Sequence, residues 1–580
     1  MKSFFKKYRF EIGLFVCYLL LVLVFTWPLV LNLNNSIYGV RGDHFVQLWE
    51  SWWRSEALFA GESLTFTPLV YAPSGFDFSS SPTQPLPTIL NLGLTLLTNE
   101  VLALNILLIL SFPLAGLMTY FLVKRLTKNK LAAAFSGLIY SFSMYHFSHA
   151  WEHSTLISIY WMPLYVLGLV NFDQKKSVKS AVLAALAFAF VLLDNFYYGY
   201  MMAIFSGFFF LFQIRHWLNR RSLKLLLLFS VLCFLFTAPV VLPMLRSSSS
   251  MLAPHRRSLH DLNWFAARPW HYLLPSTYHP LWGGVSKSIL EWLENQSPEY
   301  LMKPYARIEH NLYLGWTALV LSGFAVLRST RRVDQTSSKP NGLRRHSAAI
   351  RLFLLLAVVM ATFSAPPMAT LAGLKIYFPS HYLYNFFPMF RAYARFGVLV
   401  LLCVAVLAGF GLDHVLSVAA RFYRARLWRH KMPQLLTLLF SGIVLLEVLL
   451  PSFNVDLTPP KAYLWLKDQP GDFIVAEFPP RTDHSGLLYQ RFHGKRLFNP
   501  TVENPQNILH APEDQVSPQA LLYRDLRERP EKFVGLGVKY VIFHEGDPFL
   551  DFNLGYFREP HFKIVQRSGE IVIYEIMEIE

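Results

Sequence analysis

The chain has 580 residues, of which 53% are hydrophobic and 16% aromatic, and its formal net charge is +16. This composition excludes a soluble globular protein, which could not bury so much apolar side chain, and indicates an integral membrane protein. The charge does not indicate a nucleic-acid partner, because residues 1–451 hold 39 basic and 18 acidic residues whereas residues 452–580 hold 14 and 19. Membrane topology explains a positive excess that is confined to the apolar part.

Eleven apolar runs predict an α-helical polytopic membrane protein with about 11 transmembrane helices, since most have the length that crosses a hydrocarbon core. The first run is too long for a signal peptide and has no small-residue cleavage site, so we expect it to be retained as an anchor. The runs cover residues 10–31, 101–123, 131–149, 154–172, 178–193, 196–214, 223–245, 312–327, 352–365, 396–418 and 433–450. The three cysteines all lie in such runs, so neither a disulfide framework nor a zinc-type cysteine cluster is expected.

The distribution of basic residues along the chain predicts the membrane topology. The breaks at 124–130, 328–351 and 421–431 are rich in Lys and Arg and are expected to be cytoplasmic. The N-terminus is then cytoplasmic in a multi-pass protein of the inner (plasma) membrane, and a 1–451 transmembrane domain precedes a 452–580 extracytoplasmic domain. The outer loops are 32–100, 246–311 and 366–395. Within the first of them, residues 86–98 are too short to cross and are expected in the interface.

The tail from 452 to 580 reads as a C-terminal extracytoplasmic α/β domain. Helical spacing is seen in YLWLKDQ and in residues 519–533, whereas FIVAEFP and KYVIFHE have the composition of strands. The pair HFKIVQ and EIVIYEI predicts a hairpin around residues 567–570.

The first candidate site residue is Asp43, followed by His44, at the start of the amphipathic stretch GDHFVQLWESWW. A carboxylate at the membrane surface, partly shielded by aromatic side chains, could accept a proton from an attacking hydroxyl. The alternative is that Asp43 only caps a helix that begins at His44, because Asp is a favoured N-cap residue.

A second cluster, HFSHAWEH, contains His146, His149, Glu152 and His153 on a predicted outer turn. Three imidazoles and a carboxylate could bind a divalent metal, although the spacing matches no standard zinc motif. Substrate hydrogen bonds or a proton shuttle are the simpler roles for these residues. The alternative is that they are interfacial residues without a function. No cofactor is otherwise indicated.

The run 178–214 contains DNFYYGY and lies between two basic clusters, so it is expected to be a hairpin with Asp194 at its outer tip. An ionisable side chain at membrane depth suggests a functional site. The alternative is that Asp-Asn only forms the turn and the tyrosines only form an interfacial belt.

Two arginine pairs lie in outer loops. Arg391 and Arg395 are four residues apart in FPMFRAYARFG, which would place both guanidinium groups on one helical face as a fork for a lipid phosphate. The alternative is that they snorkel to any headgroup. Arg256 and Arg257 form a similar but less specific pair.

Several of these segments together resemble bacterial multi-spanning proteins of the C-type glycosyltransferase (GT-C) superfamily, in an uncharacterised branch. The resemblance covers most of residues 10–450 and the VAEFP-like strand of the tail. It is carried by WPL at 27–29, GDHFVQLWESWW at 42–53, a His-bearing turn followed by YWMPLYVLGL, DNFYYGY, and FPMFRAYARFGVLVLLCVAVLAGFG.

The resemblance implies a transferase in which the first outer loop supplies a catalytic Asp, here Asp43. Such enzymes take a sugar from a polyprenyl-phosphate donor and pass it to a glycan, lipid or protein acceptor by an inverting displacement, and Arg391 and Arg395 would hold the departing phosphate. Members often carry a pair of acidic residues in this loop, whereas Asp43 is followed here by His44.

Two other classes of function are weighed beside this one. A transporter or flippase of a lipid-linked glycan would place charges deep in its spans on both sides of the midplane, whereas the charges here concentrate on one face. A non-catalytic scaffold for envelope assembly could keep the fold without the reaction.

Overall fold

The structure is a computed structural model, and it describes residues 2–78, 84–251, 259–296, 308–330, 340–371, 374–387, 390–422, 426–478, 483–499, 532–545 and 561–577. The helices are α1 Lys2–Phe25, α2 Asp43–Ala60, α3 Pro85–Leu97, α4 Glu100–Thr127, α5 Lys130–Ser141, α6 Met144–Glu152, α7 Trp161–Lys175, α8 Val178–Asp194, α9 Phe196–Phe212, α10 Ile214–Trp217, α11 Arg220–Met251, α12 Leu259–Trp264, α13 Pro269–Leu273, α14 Gly283–Gln296, α15 Trp316–Thr330, α16 Pro340–Ser364, α17 Pro379–Phe386, α18 Gly397–Phe422, α19 Arg426–Glu447, α20 Lys461–Lys467, α21 Ser485–His493 and α22 Lys532–Gly535. The strands are β1 Ser36–Tyr38, β2 Phe66–Thr67, β3 Phe76–Asp77, β4 Met368–Leu371, β5 Leu374–Tyr377, β6 Asn454–Asp456, β7 Ile474–Phe478, β8 Arg496–Leu497, β9 Val538–His544, β10 Phe562–Ser568 and β11 Ile571–Ile576.

Every predicted apolar run overlaps a helix, and the hairpin of α8 and α9 breaks at Asn195 as expected. Within the described part of the chain, six helical segments are long and apolar enough to cross a membrane. They are Lys6–Phe25, Glu100–Thr127, Ser154–Lys175, Arg220–Pro243, His346–Ser364 and Tyr393–Arg421. The protein is therefore mostly helical, and several of its helices are candidates for membrane spans.

One predicted span is wrong in detail. Residues 131–149 were expected to form a single helix, but they form α5 and α6 with a break at Phe142 and Ser143. The Ser143 hydroxyl accepts a hydrogen bond from the His146 backbone N–H at 3.3 Å. A serine in this position starts a new helix, because it satisfies an N–H that has no partner within the first turn.

The chain divides into two compact units, each built from separated stretches of sequence. The first unit contains residues 1–28, 107–151 and 155–453, and the second contains residues 29–106, 152–154 and 454–580. The first outer loop therefore belongs to the same unit as the tail. The division predicted at residue 451 instead places the tail and this loop in different domains. That division concerns membrane topology, and it stays a prediction.

The first unit is organised around α18, which is buried along most of its length and packs against α5, α15, α16 and α19. Small residues permit this close approach. A Cβ built on Gly411 would lie 2.1 Å from the Leu321 carbonyl oxygen of α15, and one on Gly409 would lie 2.2 Å from the Ser136 hydroxyl of α5. Glycine is needed at both positions because backbone or short side chains occupy the space.

The second unit contains a five-stranded mixed sheet in the order β10-β11-β9-β7-β8. Strand β7 runs parallel to β8 and β9, and β11 runs antiparallel to β9 and β10. The predicted strands and terminal hairpin of the tail are confirmed, as is the helix in YLWLKDQ. The helix expected at residues 519–533 lies almost wholly outside the described residues.

The first outer loop is joined to the tail within this unit by backbone pairing and by side chains. Strand β1 pairs antiparallel with β6, and the Ala72 N–H donates to the Leu497 carbonyl at 2.9 Å. The buried Trp49 Nε1 of α2 donates to Gln490 Oε1 of α21 at 2.6 Å. These contacts fix α2 against α21, so the start of each helix has a defined position relative to the other.

Candidate functional site

Helix α2 carries the residue singled out first from the sequence. It begins at Asp43, and its N-cap residue is Gly42, which has no side chain that could cap the helix. The expectation that Asp43 caps a helix starting at His44 is therefore wrong. Asp43 lies in the first turn, where a negative charge is favoured by the helix dipole. Asp43 is therefore not the N-cap residue, and its carboxylate can act toward other groups.

Two imidazoles flank the Asp43 carboxylate. Its Oδ2 lies 4.0 Å from His153 Nε2, and its Oδ1 lies 3.7 Å from His484 Nε2. The Asp43 side chain is 47% exposed, and those of His153 and His484 are 18% and 20% exposed. The carboxylate is thus accessible from solvent, and each of its oxygens faces the Nε2 atom of a different imidazole.

These neighbours determine the protonation of Asp43. Desolvation raises its pKa, but the contact with His484 and the charges of His153, His484 and His44 outweigh that effect. The net result is a pKa below the ordinary Asp value, so the carboxylate is ionised at neutral pH. An ionised carboxylate with half of its surface open can accept a proton from a hydroxyl that approaches it.

Glu152 packs against the turn that precedes α2. A Cβ built on Gly42 would lie 2.6 Å from Glu152 Cγ, so only glycine fits there without a shift of this side chain. Glu152 therefore helps to fix the start of α2, and His153 follows it in the chain next to Asp43.

Within the first unit, a cluster joins Arg395 to an acidic residue. Arg395 Nε donates to both carboxylate oxygens of Glu309, at 3.0 and 3.1 Å. Both side chains are largely buried, at 13% and 5% exposure. Glu309 Oε2 also lies 3.9 Å from Nε2 of the fully buried His149. The Arg395 guanidinium carbon stands 4.4 Å over the Tyr197 ring.

The expected arginine fork is not formed. Arg395 lies in a 3-10 helix, Tyr393–Phe396, and Arg391 lies before that helix. The prediction that Arg391 and Arg395 share one α-helical face is therefore wrong, because Ala392 has non-helical dihedrals and α18 begins only at Gly397. Arg395 is paired with Glu309, whereas the Arg391 guanidinium carbon stands 4.9 Å over the Phe265 ring.

His146 has a structural environment. Its Nε2 lies 2.9 Å from the Ser111 hydroxyl, its Nδ1 lies 2.8 Å from the Ser141 carbonyl oxygen, and its ring stacks on Phe112 at 3.9 Å. Both ring nitrogens are already hydrogen-bonded and the side chain is 0% exposed. The residue does not fit a metal ligand, so a site with His146, His149 and His153 all coordinating is not formed.

Asp194 lies at the predicted tip of the hairpin and is 1% exposed. Its Oδ1 accepts a hydrogen bond from Trp161 Nε1 at 3.1 Å. The adjacent Asn195 caps α9 by accepting from the Tyr198 N–H, and its amide donates to the Thr155 carbonyl at 3.0 Å. The turn function therefore belongs to Asn195, and Asp194 is a buried carboxyl held by an indole. Arg256 and Arg257 lie outside the described residues.

The structure thus gives two groups of site residues, each within one unit. Asp43 lies with His153 and the newly found His484, and Arg395 lies with His149 and the newly found Glu309. Neither new residue belongs to a recognisable sequence motif. The one available signal for His484 is that a histidine follows an aspartate just before an amphipathic helix, and this signal does not point to Asp43.

Comparison with known proteins supports the fold. Residues 72–278 match the family model described as bacterial membrane protein YfhO. None of the curated protein sequences matches the chain.

Solved structures match over nearly the whole chain at low identity. The arabinofuranosyltransferase AftD from Mycobacteria has a TM-score of 0.55 at 13% identity, with 99% of this chain and 40% of AftD covered. The apo oligosaccharyltransferase of Archaeoglobus fulgidus has a TM-score of 0.53 at 12% identity, with 93% of this chain and 70% of that chain covered. The same oligosaccharyltransferase in complex with Zn and sulfate has a TM-score of 0.51 at 14% identity, with 92% and 68% covered.

At such identities the likeness shows the fold alone, and it is the fold that the sequence resemblance predicted. The chain is therefore a bacterial membrane protein that is similar to the YfhO family over residues 72–278 and has a GT-C-like fold.

Proposed function

We propose that this protein is a membrane glycosyltransferase, which transfers a sugar from a polyprenyl-phosphate donor to an extracytoplasmic acceptor. The observation that carries the proposal is the position of the Asp43 carboxylate, which is 47% exposed at the start of α2 and lies between the imidazoles of His153 and His484. Its lowered pKa keeps it ionised at neutral pH. A base in this state can deprotonate an acceptor hydroxyl as it attacks the sugar carbon. The similar structures named above include an arabinofuranosyltransferase and an oligosaccharyltransferase, which agrees with the proposed class of reaction.

The departing group in such a reaction is a lipid phosphate, and it needs a cation. Arg395 was expected to supply one, but it is neutralised by Glu309. Arg391 is the better candidate, because no carboxylate pairs with it among the described residues. A guanidinium that lies over an aromatic ring, as this one does over Phe265, can still donate hydrogen bonds from its edge to a phosphate. Arg256 and Arg257 stay candidates from the sequence alone.

The proposal includes the membrane topology. About eleven spans would cross the bilayer, namely the six long segments, α5 continued by α6, and α8, α9, α15 and α19. The second unit, with Asp43, would then lie on the extracytoplasmic side. Cysteine-labelling of introduced exposed residues with a membrane-impermeant reagent tests this arrangement, and labelling of the tail only after lysis would overturn it.

The central test is sugar transfer by the purified protein in proteoliposomes. A panel of polyprenyl-phosphate sugars is offered and products are identified by mass. We expect the wild type to transfer one of these sugars and Asp43→Asn to lose on the order of 10²–10⁴-fold in rate. The matched control is Glu56→Gln, an equivalent acid-to-amide change at an exposed position of the same helix.

The outcomes separate the rival functions. If Asp43→Asn transferred sugar at the wild-type rate, Asp43 would not be the catalytic base. Donor translocation across the bilayer by the wild type, with no transferred product from any donor, would contradict the transferase and favour a flippase. If the protein shows neither activity and binds no polyprenyl-phosphate sugar, the result would favour a scaffold.

A further inference from the structure

The residue before α21 has an unusual backbone conformation for its type. His484 occupies the N-cap position with φ 58° and ψ 18°, in the left-handed region, and makes no side-chain capping hydrogen bond. Glycine and asparagine adopt this region most readily, and other side chains do so at an energetic cost. Residues in sparsely populated backbone conformations are found more often at functional sites, so the surroundings of the His484 side chain are of interest.

The His484 side chain is directed toward α2. Its Nε2 lies 3.7 Å from Asp43 Oδ1, and it is 20% exposed. The other oxygen of Asp43 faces His153, at 4.0 Å. Each oxygen of the carboxylate thus has an imidazole nitrogen at ion-pair distance, which favours one orientation of the side chain.

The packing of the second unit fixes this geometry. Leu487, one turn into α21, is buried against Trp49 and Trp53 of α2. Next to His484, Asp483 forms an ion pair with Arg41 at 3.5 Å, two residues before Asp43. The contact between His484 and Asp43 is thus held by an apolar cluster on one side and by an ion pair on the other.

We propose that His484 is a positioning residue for the Asp43 carboxylate, so that the C-terminal domain completes the candidate active site. This inference rests on the proposed function, since it assigns to His484 the orientation of the base. The imidazole acts on Asp43 and not on the substrate. It also gives the tail a defined task, which is to supply one side of the environment of the base.

The charged groups that face Asp43 come from three places. His44 follows it in α2, His153 lies beyond the end of α6, and His484 precedes α21. The Arg41 and Asp483 pair lies beside them and is neutral as a whole. Of the three imidazoles, His484 is the one that the tail supplies, so its replacement tests the role of that domain.

The test uses His484→Asn in the full-length protein. Asparagine tolerates the left-handed conformation but cannot reach as far as the imidazole, so we expect an unchanged or higher melting temperature. The turnover number for sugar transfer should fall by about 10–100-fold, as is typical when a group that orients a functional ligand is removed, while the KM for the donor stays within about twofold. His484→Gln, which is longer, should recover part of the turnover. The control is His561→Asn, at an exposed histidine of the same domain.

A second readout does not require activity. Melting temperatures of Asp43→Asn, His484→Asn and the double variant form a cycle at neutral pH, and we expect the two effects to be non-additive. Additive effects, or a turnover equal to the wild type in His484→Asn, would overturn the positioning role. If the wild type transfers no sugar, the proposed function fails, and the cycle still shows by itself whether His484 and Asp43 interact.

Discussion

The pair formed by Arg395 and Glu309 gives the sharpest energetic prediction. Replacing Arg395 by Met keeps most of the side-chain volume but leaves the Glu309 carboxylate, 5% exposed, without its counter-ion. Two hydrogen bonds of 3.0 and 3.1 Å from Nε are lost together with the ion pair. Removing one partner of a buried pair typically costs about 3–5 kcal/mol, because the remaining charge stays desolvated.

The magnitude depends on which charges remain. Glu309→Gln should cost a similar amount, since it leaves the guanidinium over the Tyr197 ring without a carboxylate. The double variant Glu309→Gln and Arg395→Met leaves neither charge, so it should be less destabilised than the sum of the two by about 2–4 kcal/mol. Arg391→Met is the matched control, because its guanidinium stands over the Phe265 ring and no carboxylate pairs with it in the described part of the chain. A contact of this kind is worth about 0.5–1 kcal/mol.

The assay is reversible unfolding in mixed micelles, with the free energy of unfolding measured for each variant. A loss below about 1 kcal/mol for Arg395→Met, or additive single effects, would refute the assignment of a buried structural pair. If donor KM rose sharply at the same time with stability unchanged, Arg395 would instead be the phosphate ligand that the sequence suggested.

Three further predictions concern other positions. Folding lowers the pKa of Asp43, so its stabilising contribution is present above the unfolded carboxyl pKa of about 4 and is lost as pH falls through the folded pKa. Between about pH 5 and pH 3 the melting temperature of the wild type should therefore fall further than that of Asp43→Asn. An equal fall in both proteins would contradict this. Gly411→Ala should lower the free energy of unfolding by about 1–3 kcal/mol, because its Cβ would meet the Leu321 carbonyl. A higher melting temperature would instead show that α15 can move away to make room for the methyl group. Trp49→Phe leaves the Gln490 Oε1 acceptor buried without this donor and should cost about 1–3 kcal/mol in unfolding free energy; a change below about 0.5 kcal/mol would argue against that hydrogen bond.

Much of the fold could be predicted from local sequence. Apolar runs and basic breaks gave the helices, and the alternating strands of the tail gave β7, β9 and the hairpin of β10 and β11, because these patterns depend on near neighbours alone. The break between α5 and α6 was missed because Ser143 reads as part of an apolar run. The Ser143 hydroxyl favours the start of α6, and a hydropathy scale does not report this hydrogen bond.

The site was less predictable because it depends on contacts between distant residues. Asp43 was found from its position beside an aromatic helix, but its partner His484 lies more than four hundred residues away in sequence. Arg395 was recognised as important, yet its pairing with Glu309 depends on how the 3-10 helix Tyr393–Phe396 packs against another one, Ile308–His310. Patterns within one segment identify candidate residues, whereas the partners that set their charge come from the tertiary fold.

The interleaving of residues 29–106 with residues 454–580 has a consequence for biogenesis. The loop leaves the ribosome roughly 350 residues before the tail that covers it, which at about 5–20 residues per second is a delay of some tens of seconds. During that interval the tryptophan-rich face of α2 has no partner strand or helix from the tail. A chaperone that shields this face during insertion, or retention of the nascent loop at the bilayer surface, would protect it until translation ends.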